Sequence, residues 1–172
     1  MMNDLAKLIE TKFEVTEDTG EIIASVSLTE PCERYLNAMR EFEKAVENCS
    51  EKEQIYTDTH HTLHGGVYSR TVFVKKGSLF TTALVKKPTT LILNGNINIF
   101  VGGKVVHLKG HRVIMGLVNR KSVIYAVEDS YGTLAYATEA KTVEEAEREL
   151  TDDLLNSSLA NSENKVLITD QS

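Results

Sequence analysis

Imidazole side chains can bind a transition metal or move a proton near neutral pH. The densest group of them in this chain is His60, His61 and His64. No cysteine or carboxylate accompanies them at a fixed ligand spacing, so they are weak metal candidates. The structural alternative is a loop whose histidines bond to backbone as the chain enters its first strand. Tyr68 and Arg70 stand two apart and share one face of a strand. Such a pair can hold a planar or anionic ligand, the guanidinium through two parallel hydrogen bonds. Otherwise Tyr68 packs at the core edge and Arg70 pairs with an acid such as Glu128. Lys86, Lys87, Arg120 and Lys121 form two basic pairs in an acidic chain. They are candidates for an anion pocket or for solvated turn charge. His107 and His111 flank Lys109-Gly110 and read as partly exposed hairpin residues. Glu144-Glu145-Glu147 and Asp152-Asp153 read as a solvated helix face. No nucleophile elbow, Walker loop, dinucleotide fingerprint or zinc-finger spacing occurs.

The elements that must position these residues fall into zones. Residues 1–54 read as an N-terminal helical extension. Within it Leu36, Met39, Phe42 and Val46 form an amphipathic stripe running from Pro31 to Cys49. Residues 55–140 are rich in valine, isoleucine and threonine and are punctuated by turns. Asn94-Gly95 is the strongest hairpin signal, with Lys109-Gly110 as a further turn. The pieces between turns read as roughly eight short strands, among them 90–93, 96–101, 104–108 and 112–117, which means a sandwich or a jelly roll. Residues 141–158 read as a C-terminal helix opened by a Thr142…Glu145 capping box. Val143, Ala146, Leu150 and Leu154 form its apolar stripe. Residues 159–172 read as a flexible tail.

The chain has 172 residues and a formal net charge of −6. That suits one domain and argues against non-specific nucleic-acid binding, which needs a basic footprint. Cys32 and Cys49 would lie roughly 25 Å apart on one helix, so free thiols in a reducing compartment are expected. No apolar run is long enough for a transmembrane helix, and no signal pattern opens the chain. A cytoplasmic location is the expectation.

The second zone resembles the cupin superfamily, and within it small cupin-like proteins encoded by bacteriophages. The carrying residues are His60-His61, Gly66-Val67-Tyr68-Ser69-Arg70, Lys76-Gly77, Asn94-Gly95 and Tyr125-Ala126-Val127-Glu128-Asp129. The resemblance implies a mainly β fold, a double-stranded β-helix or jelly roll, with the helical extension before it and a helix after it. It also implies a homodimer. A cupin enzyme carries a His-x-His pair about ten residues after a glycine such as Gly77, and a later histidine. Here those positions fall at Val85-Lys86-Lys87-Pro88-Thr89 and near Arg120-Lys121-Ser122, where lysine and arginine oppose a metal. The resemblance therefore implies a barrel with a degenerate metal motif, no metal and no cofactor, and both basic pairs near one end of the barrel.

Three functions follow as expectations. The first is a non-enzymatic binding protein that acts through a protein partner. The second is a binder of a small anionic ligand, a nucleotide or sugar phosphate, held by Tyr68, Arg70, Lys87, Arg120 and Lys121. The third is an enzyme, either metal-dependent through His60, His61 and His64 or an epimerase using His61 and Tyr68.

Overall fold

A computed structural model describes residues 14–16, 58–101, 104–152 and 164–169, and the single positions Asn37, Arg40, Glu41 and Lys44. Its strands are β1 (Glu14–Thr16), β2 (Thr59–His64), β3 (Val67–Val74), β4 (Leu79–Thr81), β5 (Thr89–Val101), β6 (Lys104–Gly116), β7 (Val123–Ala126), β8 (Ser130–Ala137) and β9 (Asn164–Ile168). The described helix, α1, spans Val143–Leu150. The nine-stranded sheet runs β1-β6-β5-β8-β3-β2-β9, with β7 branching from β5 and β4 pairing with β7. Neighbours are antiparallel except β1 on β6 and β2 on β9. The sheet curls into a half-barrel of the jelly-roll kind, mainly β as the sequence reading expects.

The curl comes from one long hairpin. β5 and β6 pair along their whole length, from Thr89 opposite Gly116 to Val101 opposite Lys104. On its other side β5 changes partner. Thr90 to Asn94 pair with β8, whereas Ile97 to Phe100 pair with β7. The changeover falls at Gly95, which faces Gly110 across the hairpin. This corrects the sequence reading, in which Asn94-Gly95 and Lys109-Gly110 are hairpin turns and each long strand is two short ones. Both a tight turn and a mid-strand bend call for glycine at positive φ, so the two leave the same signal. Gly95 has φ +147°, and a Cβ there would fall 2.1 Å from Ser130 Oγ. Ser130 fills the bend: its Oγ accepts the Asn96 N–H at 3.0 Å and donates to the Glu128 carbonyl at 2.8 Å.

The interior divides at this bend. Val74, Leu93, Ile97, Leu108, Ile114 and Ala126 pack inside the half-barrel. Beside them, Leu63, Tyr68, Leu134 and Tyr136 meet Val143, Ala146 and Leu150 of α1. The capping box is present in both directions between Thr142 and Glu145, and it fixes where the helix starts. The start in turn aims its apolar face at the sheet. Lys86 N–H donates to the Leu150 carbonyl at 2.8 Å and ties the helix end to the chain before β5.

Residues 164–168, which the sequence assigns to a frayed tail, form β9 beside β2. Likewise β1 lies in the segment read as a helical extension, and it pairs with β6. Asn37, Arg40, Glu41 and Lys44 are helical and exposed, on the segment expected to be an amphipathic helix. The apolar stripe of that segment, and both cysteines, lie outside the described residues. No helix among the described residues is long and apolar enough to cross a membrane.

Replacing Gly95 by alanine is expected to destabilise the protein by about 2 kcal/mol or more, through clash with Ser130 and an unfavourable φ. Gly132→Ala is the control, because a Cβ there meets nothing within 4 Å. It should change stability by less than about 0.5 kcal/mol. Urea denaturation of the two variants beside the parent checks both values.

Candidate functional site

α1 carries an acid on its buried face. Val143, Ala146, Glu147 and Leu150 recur at helical spacing and all point inward, and Glu147 is 0% exposed. A carboxylate taken out of water must be met by a cation and hydrogen bonds. Arg70 Nη1 donates to both Glu147 oxygens at 2.8 Å. The Tyr68 hydroxyl donates to Glu147 Oε1. His61 Nδ1 lies 2.8 Å from the same hydroxyl, and the Tyr136 ring meets Tyr68 edge-on. Burial, together with the Glu147 charge, raises the Tyr68 hydroxyl above the ordinary phenol range. Burial does the same to Tyr136, helped by Glu149 and Glu147.

The sequence alone puts Glu147 on a solvated face and offers Glu128 as the partner of Arg70; instead Glu147 is buried and is itself the acid that Arg70 pairs with. The signal for Glu147 was present: it lies four residues after Val143 and three before Leu150, inside the apolar stripe.

A cavity of about 200 Å³ opens inside the half-barrel beyond this cluster. Its walls are apolar, with Val72, Leu91, Leu93, Ile97, Leu108 and Ile114 among them. Arg70 and Arg120 are the charged residues in its lining. Arg120 follows a turn in which Asn119 takes φ +56°, and its carbonyl accepts the Val85 N–H at 2.9 Å. The guanidinium lies back over Gly116, where a Cβ would fall 2.6 Å from Arg120 Cζ. A side chain at 116 would make the guanidinium and the Thr89 hydroxyl shift from this arrangement. Nη1 donates to the Leu117 carbonyl at 2.7 Å and Nη2 to Thr89 Oγ1 at 2.6 Å. Both partners are neutral, and no carboxylate among the described residues pairs with Arg120. Burial pulls its pKa down to about 10, and the charge of Arg70 adds to that. It stays cationic at neutral pH, and among the described residues that positive charge on the apolar cavity is uncompensated.

The other residues singled out in the sequence go elsewhere. Lys87 pairs with Glu149 and holds its ammonium 5.1 Å above the Tyr136 ring. That hydrogen bond keeps the Glu149 carboxyl below its ordinary range. Lys86 reaches Asp152 at 2.6 Å. Neither Lys87, Lys121 nor Tyr68 lines the cavity. An isolated antiparallel bridge pairs Val85, next to one basic pair, with Arg120 of the other. His60, His61 and His64 lie on β2 rather than in a loop. Strand alternation turns His61 inward and leaves His60 and His64 exposed, so the three do not converge. No group of three or more ligating side chains that could hold a metal occurs among the described residues. His107 and His111 lie within β6, and His107 Nδ1 bonds across the hairpin to Asn98 Oδ1 at 2.6 Å.

The solved structures similar to this chain include cupins. An RmlC-like cupin family protein with a double-stranded β-helix fold from Methanocaldococcus jannaschii is 12% identical, with a TM-score of 0.42 over 51% of this chain and 85% of that one. The Cnp3 cupin domain of Schizosaccharomyces pombe is 16% identical, with a TM-score of 0.40 over 59% and 71%. A conserved protein of unknown function from Streptococcus pyogenes is 15% identical, with a TM-score of 0.36 over 44% and 67%. No family model and no curated protein matches the chain.

Removing one partner of the buried pair strands the other. Glu147→Ala is expected to cost about 3 kcal/mol or more. Glu149→Gln breaks a pair whose side chains are about a third exposed and should cost less than about 1 kcal/mol. Thermal melts of the two variants measure the contrast.

Proposed function

We propose that this protein binds a small amphipathic anion inside its half-barrel, the apolar body among the β5 and β6 side chains and the charged head on Arg120 beside Arg70. One observation carries the reading: Arg120 is a partly buried cation on the cavity wall whose partners among the described residues are neutral. Such a charge is costly unless a counter-charge meets it, and a ligand can supply one. The apolar walls favour a hydrocarbon body over the polar surface of a nucleotide or sugar phosphate, whose hydroxyls would lose water without gaining partners. His61 and Tyr68, the pair considered for an epimerase, are turned to Glu147 and do not line the cavity, so binding rather than proton transfer is the role proposed.

Octanoate is a suitable probe, because it joins a carboxylate to an apolar tail. Titration calorimetry is expected to detect octanoate binding and to find n-octanol, the same tail without charge, clearly weaker. Loading to 100 times Kd should add about 2.7 kcal/mol of stability. Arg120→Gln should weaken octanoate at least about tenfold, the loss of a charge-assisted bond. Equal affinity for octanol and octanoate, or no binding of either, would end the proposal.

A second reading is a protein partner, including a second copy of the chain. β9 is an edge of the described sheet, and Val166, Leu167 and Ile168 are each half or more exposed. An apolar edge strand with open backbone groups is a template for pairing. Size-exclusion chromatography with light scattering should then give a dimer that Leu167→Lys dissociates. A clean monomer at micromolar concentration counts against self-pairing.

A further inference from the structure

The charges around the cavity carry a finer statement, which rests on the anion-binding reading above. Two guanidiniums reach the cavity lining, Arg70 and Arg120. One carboxylate, Glu147, stands behind them, wholly buried and bonded to Arg70 through both oxygens. Arg70 is therefore balanced from the helix side, and Arg120 is balanced by nothing among the described residues. Among the described residues, Arg70, Arg120 and Glu147 together leave a net charge of plus one at the cavity. We infer that Glu147 is a specificity-determining residue that sets the ligand charge, so that the site takes monoanions and rejects dianions.

The physical reason is desolvation. In an apolar enclosure each charge brought out of water needs an opposite charge to repay its lost hydration. The first negative charge of a ligand meets Arg120. A second meets Arg70 only in competition with Glu147, which already holds it. Glu147 cannot turn away to water, because it sits in the middle of the packed face of α1 between Val143 and Leu150. A dianion thus adds an unbalanced charge, while a monoanion completes the count.

Octyl sulfate and octyl phosphate make the test, with octanoate as reference. The first two share a tail and a tetrahedral head and differ by one charge at about pH 8, since the second pKa of a phosphate monoester is about 6. Affinities are measured by calorimetry on the full chain and on Glu147→Gln and Arg120→Gln. Octanoate and octyl sulfate are expected to bind, with octyl phosphate weaker by about tenfold or more, one unbalanced charge being worth at least that factor. In Glu147→Gln, which keeps the shape and removes the charge, the preference should shrink or reverse. Octyl phosphate binding as well as octyl sulfate in the parent overturns the charge rule and leaves the anion-binding reading standing. Octanoate binding alone makes head-group size the discriminator and also overturns it. A folded Glu147→Gln with an unchanged preference removes Glu147 from the mechanism. Failure of all three probes defeats both inferences. Should Glu147→Gln not fold, the parent's sulfate-to-phosphate ratio and the loss in Arg120→Gln decide.

Discussion

The contact between Glu147 and Arg70 holds this structure to one arrangement. A carboxylate on the inner face of α1 has no route to water, and a guanidinium on β3 supplies its counter-charge. Tyr68 adds a hydrogen bond from the same strand face, and His61 extends the chain of bonds to β2. Such a cluster tolerates little sliding of helix over sheet, because any shift leaves a buried charge unmet. The surrounding contacts of Leu63, Leu134, Tyr136, Ala146 and Leu150 supply apolar burial, which is not directional. The polar cluster supplies the direction.

From that contact the cavity follows. α1 packs against residues of β2, β3 and β8, and Glu147 holds Arg70 toward the helix. The β5–β6 hairpin wraps the remaining space, because glycine at 95 and 110 lets both strands bend together while β5 passes from β8 to β7. Gly116 near the end of β6 then leaves room for the Arg120 guanidinium. Two glycines on neighbouring strands thus serve different ends. Gly95 shapes the wall, and Gly116 admits the charge that faces the space within.

The basic residues of the chain illustrate how context sorts like from like. Lys86, Lys87 and Arg120 meet near the Val85–Arg120 bridge. The lysines find acids on α1 or just after it, Glu149 and Asp152. Among the described residues Arg120 finds a carbonyl and a hydroxyl. Three cations of similar position therefore have different roles, and the difference lies in what α1 offers each of them.

The sequence by itself determined the mainly β class, the capping box at Thr142, the strand alternation that puts Tyr68 and Arg70 on one face, and the surplus of cationic residues around positions 86 and 120. These depend on local spacing, which a chain carries within a few residues. It also held the clue to Glu147, since helical periodicity puts that residue between Val143 and Leu150. The tertiary structure alone decided which cation met which acid, that β9 joins β2, and that Gly95 bends a strand rather than turning a hairpin. Those outcomes rest on contacts between residues far apart in sequence: Arg70 with Glu147, Gly95 with Ser130, Arg120 with Thr89. A positive φ or an inward charge is visible locally. Its partner is fixed only when the sheet has curled and the helix has closed on it.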